Sequence, residues 1–444
     1  MIYYFFIALA TFMLTSCRHF NDTLLDVAQI KYDSAENVEF MRKFGGPGYE
    51  YGVKATFFGS KLFISGNTNG SFGNTTDIFF SEISPSGNIL NSFIFGGTHR
   101  DTIQSLVTLG SNGLLFLGNT QSLFHTPLKD LTNPSREERP IVALANLDGS
   151  FKWISVIEER GMSLLDGVLD SATNQLFLAG YVEDRFAIVI FDETGNFKSA
   201  YKGEPGALVD VGSLKNAPIY FGNLNKNGHF QGVISLGGLT GVPEKGKLLE
   251  AEEGDVVIQR ANKLRDDGII VSGIAKISTK QNIPFLALLD SQFGVRVAVL
   301  LVFDASQTFQ AQSVSETISG AILVSGVLYK SSKNPQPYAV LLSREGDILS
   351  EKIWQTPSGW GIDYSIEMKD RSIIAAGVID EDLDGKADFF AHRFFMPDTK
   401  GAIGLVKTRK FALSLKEEPI VFTPFSPHRV VDVKDKIYIK SLQK

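Results

Sequence analysis

The sequence predicts an all-β protein closed into a ring of repeated sheets, a β-propeller. Three observations predict it. Composition leans to sheet: Phe 34 and Gly 42 in 444 residues, with short β-branched and aromatic runs and few long segments of helical period. One pattern recurs along the chain about every 50 residues. The two chain ends read as complementary halves of that same pattern.

The repeat is an apolar run ending at Gly, a polar loop, a second apolar run, a Gly or Asp turn and a third run. The marker glycines are Gly66, Gly118, Gly180, Gly222, Gly273, Gly326 and Gly377, spaced by 52, 62, 42, 51, 53 and 51 residues. After each loop comes a strand such as "DIFFSEI", "IVALANL", "FAIVIF" or "YAVLL". The turns that follow, "SPSGN", "LDGS", "DETGN", "REGD" and "DTKG", are hairpin connections in which Gly supplies a positive φ. Units of this length holding about four short strands are propeller blades. Each twisted sheet must bury both faces on its neighbours, so the blades close into a ring.

The termini set the blade count. Residues 26 to 46 align without gaps on 77 to 97, matching Asp26 to Asp77, Asn37 to Asn88 and Phe44-Gly45-Gly46 to Phe95-Gly96-Gly97. The chain thus begins with the outer half of a blade. Residues 430 to 441, "VVDVKDKIYIKS", read like the inner half at 365 to 377. Pairing the halves predicts eight four-stranded blades. The alternative is seven blades, with residues 402 to 444 as a C-terminal cap.

A net charge of -6 and the absence of a Lys/Arg run exclude a nucleic-acid surface. The N-terminus is an apolar run of about thirteen residues. It is too short for a membrane-spanning helix, which needs roughly 20 residues, but has the length of a signal-peptide core. Its end, Leu14-Thr15-Ser16-Cys17, resembles a bacterial lipobox, and Cys17 is the only cysteine in the chain. The resemblance implies a signal peptide over 1–16, a lipidated Cys17 with a tether to residue 25, and a single propeller domain over 26–444. Nine tether residues reach at most about 30 Å, so the ring would sit close to the membrane.

With "FGGPGYEYG" and "FGGTHRD" as its nearest units, the mature chain resembles bacterial lipoproteins and surface proteins built from β-propeller repeats. That implies a fold and a compartment, the cell envelope, and no activity, because propellers host enzymes, binders and scaffolds alike.

One loop stands out chemically. Asp380, Asp382, Asp384 and Asp388, with Gly385 between them, spell D-x-D-x-D-G-x-x-D. The pattern resembles the calcium loops of integrin-type propeller hairpins. Alternating carboxylates turn inward, Gly permits the bend, and the Lys386 carbonyl adds an oxygen, which suits the 6 to 8 hard ligands that calcium takes. A structural calcium ion is therefore expected there. Blade four carries a neutral counterpart, Asn223, Asn225, Asn227, Gly228 and Gln231.

A second set is acidic residues recurring just before the first, innermost strand of a blade: Glu50, Asp101, Asp166, Asp210, Asp255 and Asp363. They could gather at one channel mouth and bind a cation or a basic ligand. Equally, an Asp at that corner can accept backbone N–H groups and fix how one blade enters the next. The six histidines lack metal-ligand spacing, and no nucleophile, zincin or phosphate-loop motif occurs. A 22-residue insertion after Gly118 reads as an exposed loop. Together these features predict a lipid-anchored envelope module that binds or scaffolds a protein or glycan, and leave open whether it is an enzyme. The rivals are a propeller hydrolase or lyase acting on polysaccharide and a structural protein without a specific ligand.

Overall fold

In the computed structural model, the described residues are 29–31, 40–44 and 50–441, apart from 59–60, 70–75, 85, 123–137, 171, 216, 239, 253, 279–280, 305–306, 331–333, 355–358, 381–387, 398–403 and 428. Among the described residues no helix is long and apolar enough to cross a membrane.

The described strands form seven four-stranded antiparallel units. Blade 1 is Glu50–Phe58, Lys61–Asn69, Thr76–Ile83 and Ile89–Gly96. Blade 2 is Asp101–Thr108, Leu114–Thr120, Arg139–Ala145 and Phe151–Ile157. Blade 3 is Met162–Asp170, Gln175–Val182, Arg185–Asp192 and the first half of the long strand Phe197–Leu214. The second half of that strand opens blade 4, followed by Ala217–Lys226, His229–Gly237 and Pro243–Ala251. Blade 5 is Asp255–Lys263, Ile269–Ser278, Gln281–Leu289 and Val295–Val302. Blade 6 is Gln307–Glu316, Ile322–Lys330, Asn334–Leu342 and Ile348–Ile353. Blade 7 takes Gly359–Glu367, Ile373–Asp380 and Asp388–Phe394 from late in the chain and its fourth strand, Phe40–Phe44, from the N-terminus.

Among the described residues the expected eighth blade is not formed. Phe40–Phe44 pairs with Asp388–Phe394, whereas Tyr438–Ser441 pairs with the outer strand of blade 1, so the two terminal halves never meet. Of the N-terminal half only Phe40–Phe44 takes the place that the alignment on 77 to 97 indicates, as a fourth strand; Gln29–Lys31, aligned with a third strand, pairs outside it as a fifth, and the third strand is Asp388–Phe394. The buried core gives the same count. It divides into seven clusters, each filling the gap between two neighbouring blades, and the cluster of Val53, Ile64, Ile374 and Phe389 joins blade 7 to blade 1 and closes the ring.

The C-terminal segment is a belt rather than a cap. It runs backwards round the outside of the ring and adds a fifth strand to five blades in turn. Lys407–Lys410 pairs with blade 5, Leu413–Pro419 with blade 4 and Thr423–Phe425 with blade 3. Val430–Asp432 then pairs with blade 2 and Tyr438–Ser441 with blade 1. Every open sheet edge exposes unpaired backbone groups, and the belt satisfies them. Its apolar side chains serve as pegs: Val406, Phe411 and Ile420 enter three successive gaps between blades, and Val433 and Ile437 enter the gap between blades 1 and 2.

The marker glycines lie inside the second strand of each blade, not at its end. Each faces a β-bulge in the first strand, as where Ile258 and Arg260 pair with Gly273 and Ser272 and leave Gln259 over. At all of them but Gly66, which meets the Phe389 ring instead, the bulge presses a backbone carbonyl onto the glycine. A Cβ would lie 1.9 Å from the Val257 oxygen at Gly273, 2.0 Å from Ser163 at Gly180 and 1.9 Å from Gly361 at Gly377. Only glycine fits, and that is why the sequence repeats it. At the outer hairpins the expected turn chemistry holds: Gly87, Gly149, Gly195 and Gly346 all have positive φ.

Candidate functional site

The bulges organise the inner wall of the ring. In each blade the residue after the bulge pairs with the residue before the marker glycine, so one side chain per blade stands at a common level. In blades 1 to 4 these are Lys54, Ser105, Asp166 and Asp210. In blades 5 to 7 they are Arg260, Ser313 and Tyr364, with Asp363 as the bulged residue just before Tyr364. The first strands alternate buried and half-buried positions while the second strands are buried almost throughout, the pattern expected of strands bordering an internal channel.

The six acidic candidates separate into two groups. Asp166, Asp210 and Asp363 lie within their strands, at the bulge, and belong to the inner wall. Glu50, Asp101 and Asp255 are the first residues of theirs. Glu50 is 1 % exposed and accepts from Thr68 Oγ1 at 2.9 Å. Asp101, equally buried, accepts from the Gly97 N–H at 2.6 Å and Ser122 Oγ at 3.1 Å. It thereby holds the Gly96-Gly97 corner where blade 1 passes into blade 2, and burial pushes its pKa up to about 6. Asp255 sits near the surface, 3.4 Å from His229.

Asp166 and Asp210 are brought together across neighbouring blades. Burial, and then the Asp210 charge beside it, raise the Asp166 pKa well above the ordinary carboxylate range. Each carboxylate also reaches the next blade's backbone. The Val211 N–H donates to Asp166 Oδ2 and the Ala261 N–H to Asp210 Oδ2, both at 3.0 Å. Ser105 Oγ donates to Asp166 Oδ1 at 3.3 Å, so blades 2 to 5 are linked at one level. Across the channel, Asp363 has a pKa raised to about 6 by burial, against the lowering effect of Lys54 and Arg260.

A second set of linkers escaped the sequence reading. Asn67, Asn119 and Asn223 each follow a marker glycine. Asn67 Oδ1 accepts the Ile103 N–H at 2.7 Å, and Asn223 grips Ile258 twice, accepting its N–H at 2.7 Å and donating to its carbonyl at 2.8 Å. Asn119 reaches Ser163 of blade 3 at 3.3 Å. The signal was present as the recurring dipeptide Gly-Asn in "SGN", "LGN" and "FGN". Asn223 is therefore a blade linker, and the neutral hairpin turns tightly at Asn227-Gly228, both at positive φ.

Of the calcium candidates, Asp382, Asp384 and Lys386 lie outside the described residues, as does Cys17. Asp380 and Asp388 stand at the ends of the two strands that the loop joins, and Asp388 Oδ2 is 3.4 Å from Lys43 Nζ. Most of the 119–140 insertion, residues 123–137, also lies outside. Among the described histidines, His229 is exposed at the surface, and His392 is packed among Trp354 and Phe394 with its pKa lowered to about 3 by burial.

No protein-family profile and no curated protein sequence matches the chain. Solved structures of similar fold include the Dos1 propeller, with 10% identity over 80% of this chain and 94% of that one and a TM-score of 0.44. The propeller domain of the trilobed protease from Pyrococcus furiosus aligns with 9% identity over 81% and 97%, TM-score 0.44. The NanB sialidase from Streptococcus pneumoniae aligns with 12% identity over 78% and 68%, TM-score 0.39. The first two are β-propellers by description, and the blade arrangement itself rests on the strand pairing.

Proposed function

We propose that this chain is an exported, lipid-anchored β-propeller that serves as a binding or scaffold module for a protein or glycan at the bacterial cell envelope. The observation that carries the reading is the use of the inner-wall carboxylates: Asp166 and Asp210 spend an oxygen each on the next blade's backbone N–H. Groups so committed stiffen the ring, and a rigid ring displays loops for recognition. In this reading Cys17 carries the lipid and residues 380 to 388 hold a structural calcium ion.

The test is binding of the purified ring, residues 20 to 444, to isolated envelope polysaccharides and to defined envelope proteins. Saturable binding without product formation is the expected result, and release of new reducing ends would sink it. Labelling with an alkyne fatty acid should mark the wild type and not Cys17→Ala. Removing calcium with a chelator should lower the melting temperature of the wild type but not of a variant with Asn at 382 and 384. A site filled at 100 times its dissociation constant contributes about 2.7 kcal/mol.

The closeness of Asp166 and Asp210 favours a second reading, a polysaccharide hydrolase with the pair as acid and base. Under it, reducing-end release would be lost in both Asp166→Asn and Asp210→Asn.

A further inference from the structure

Beside and across from the acid pair, the inner wall carries a second cluster. Lys54 of blade 1 is influenced by Arg260 of blade 5 and by Asp363 of blade 7. In a seven-membered ring blades 1 and 5 are not neighbours, so this influence crosses the channel. The register places Lys54 and Arg260 at the same level, each paired with the residue before its marker glycine, with Asp363 at the adjoining bulge.

The donors of this cluster are not all used. Neither Lys54 nor Asp363 makes a hydrogen bond or a direct ion pair among the described residues. Arg260 donates Nε to the Gln312 carbonyl at 3.0 Å and Nη1 to the Gln259 carbonyl at 2.9 Å, which leaves its other guanidinium hydrogens for a ligand. Lys54 has no carboxylate in direct contact, an uncompensated charge is costly to bury, and burial lowers the Lys54 pKa to about 8. A counter-ion relieves that cost. An oxyanion does so best, because a guanidinium edge and an ammonium offer several N–H donors to adjacent oxygens.

We propose that the channel holds a binding site for a small oxyanion, a carboxylate or a phosphate group, gripped between Lys54 and Arg260 and in competition with the Asp363 carboxylate. The site is separate from the loops invoked for a protein or glycan partner, and either can exist without the other.

Calorimetric titration of the purified ring at constant ionic strength tests it, with inorganic phosphate in one arm and glucuronate in the other. Neutral glucose serves as a control. Saturable binding of one anion, or of both, is expected, and the stronger arm identifies the chemistry. Lys54→Met and Arg260→Met should each weaken binding at least tenfold. Lys54→Arg should keep it within a few-fold, and the exposed Lys198→Met should leave it unchanged. If the methionine variants fail to fold, Asp363→Asn decides. Losing the competing carboxylate should tighten binding several-fold, and unchanged or weaker binding overturns the site. Absence of saturable binding by either anion to the wild type overturns it as well, as does unchanged affinity in folded Lys54→Met and Arg260→Met.

Discussion

At the scale of single residues, the marker glycines and the acids opposite them make one device: a bulge that needs glycine and brings a polar side chain to the channel. Gly273→Ala should therefore cost about 3 kcal/mol, since the new methyl would meet the Val257 oxygen at 1.9 Å. Gly212→Ala, whose Cβ would find ordinary contact with Ile219 at 3.5 Å, should stay within about 0.5 kcal/mol. Chemical denaturation of both variants checks the contrast. Asp166 gives a pH test. Its folded pKa lies above the unfolded value, so its contribution favours folding below pH about 4 and is lost as pH rises through the folded value. Asp166→Asn keeps an oxygen for the Val211 N–H and removes the charge. The variant should melt above the wild type at pH 8, by on the order of 1 kcal/mol, and the gain should shrink towards pH 5. An equal gain at both pH values would refute the shared burial of charge.

At the scale of elements, the belt depends on how it is fastened. Blade 6 has no paired fifth strand among the described residues, and a side chain does that work instead. Glu351, fully buried in its outer strand, accepts from Tyr338 Oη at 2.7 Å, the Gly404 N–H at 2.6 Å and the Val406 N–H at 2.9 Å. Ser350 and Lys352 on either side donate to the Pro397 and Phe395 carbonyls. Glu351→Ala should leave the Tyr338 hydroxyl and two amides unsatisfied at a cost of roughly 3 kcal/mol. Hydrogen exchange should then quicken at 404 to 406 before anywhere in the blade cores, since local opening follows the weakest attachment. Uniform loss of protection would mean that Glu351 supports blade 6 and not the belt. The belt's ion pairs, Lys245 with Glu417 and Lys416 with Glu250, are exposed and add little beside this buckle.

At the scale of the whole molecule, the N-terminal strand and the C-terminal belt do different work. Phe40–Phe44 closes the ring by completing blade 7, and Met41 enters the core between blades 6 and 7. The belt covers edges after the ring is made. Deleting residues 404 to 444 should therefore leave a folded ring with five uncovered outer strands that self-associates. Size-exclusion chromatography with light scattering should show oligomers where the full ring is monodisperse, with far-ultraviolet dichroism retained. Complete loss of dichroism would assign the belt to ring formation itself.

The sequence by itself determined the repeat, the strand class and the turn positions. Local rules fix these: glycine where a backbone presses close or φ is positive, and apolar residues where both faces of a sheet are covered. It also marked the residues at the bulge, Asp166, Asp210 and Asp363, without telling them apart from Glu50, Asp101 and Asp255, which open their strands. Tertiary structure alone decided the partners of the two ends. Residues 430 to 441 resemble an inner half-blade in pattern, but a short apolar strand can pair with any open edge, and the outer edges of blades 1 and 2 were the ones in reach. Spatial closure likewise decided which charges share a wall, since Lys54 and Arg260 are 206 positions apart in the chain and face one another only when seven blades close the ring.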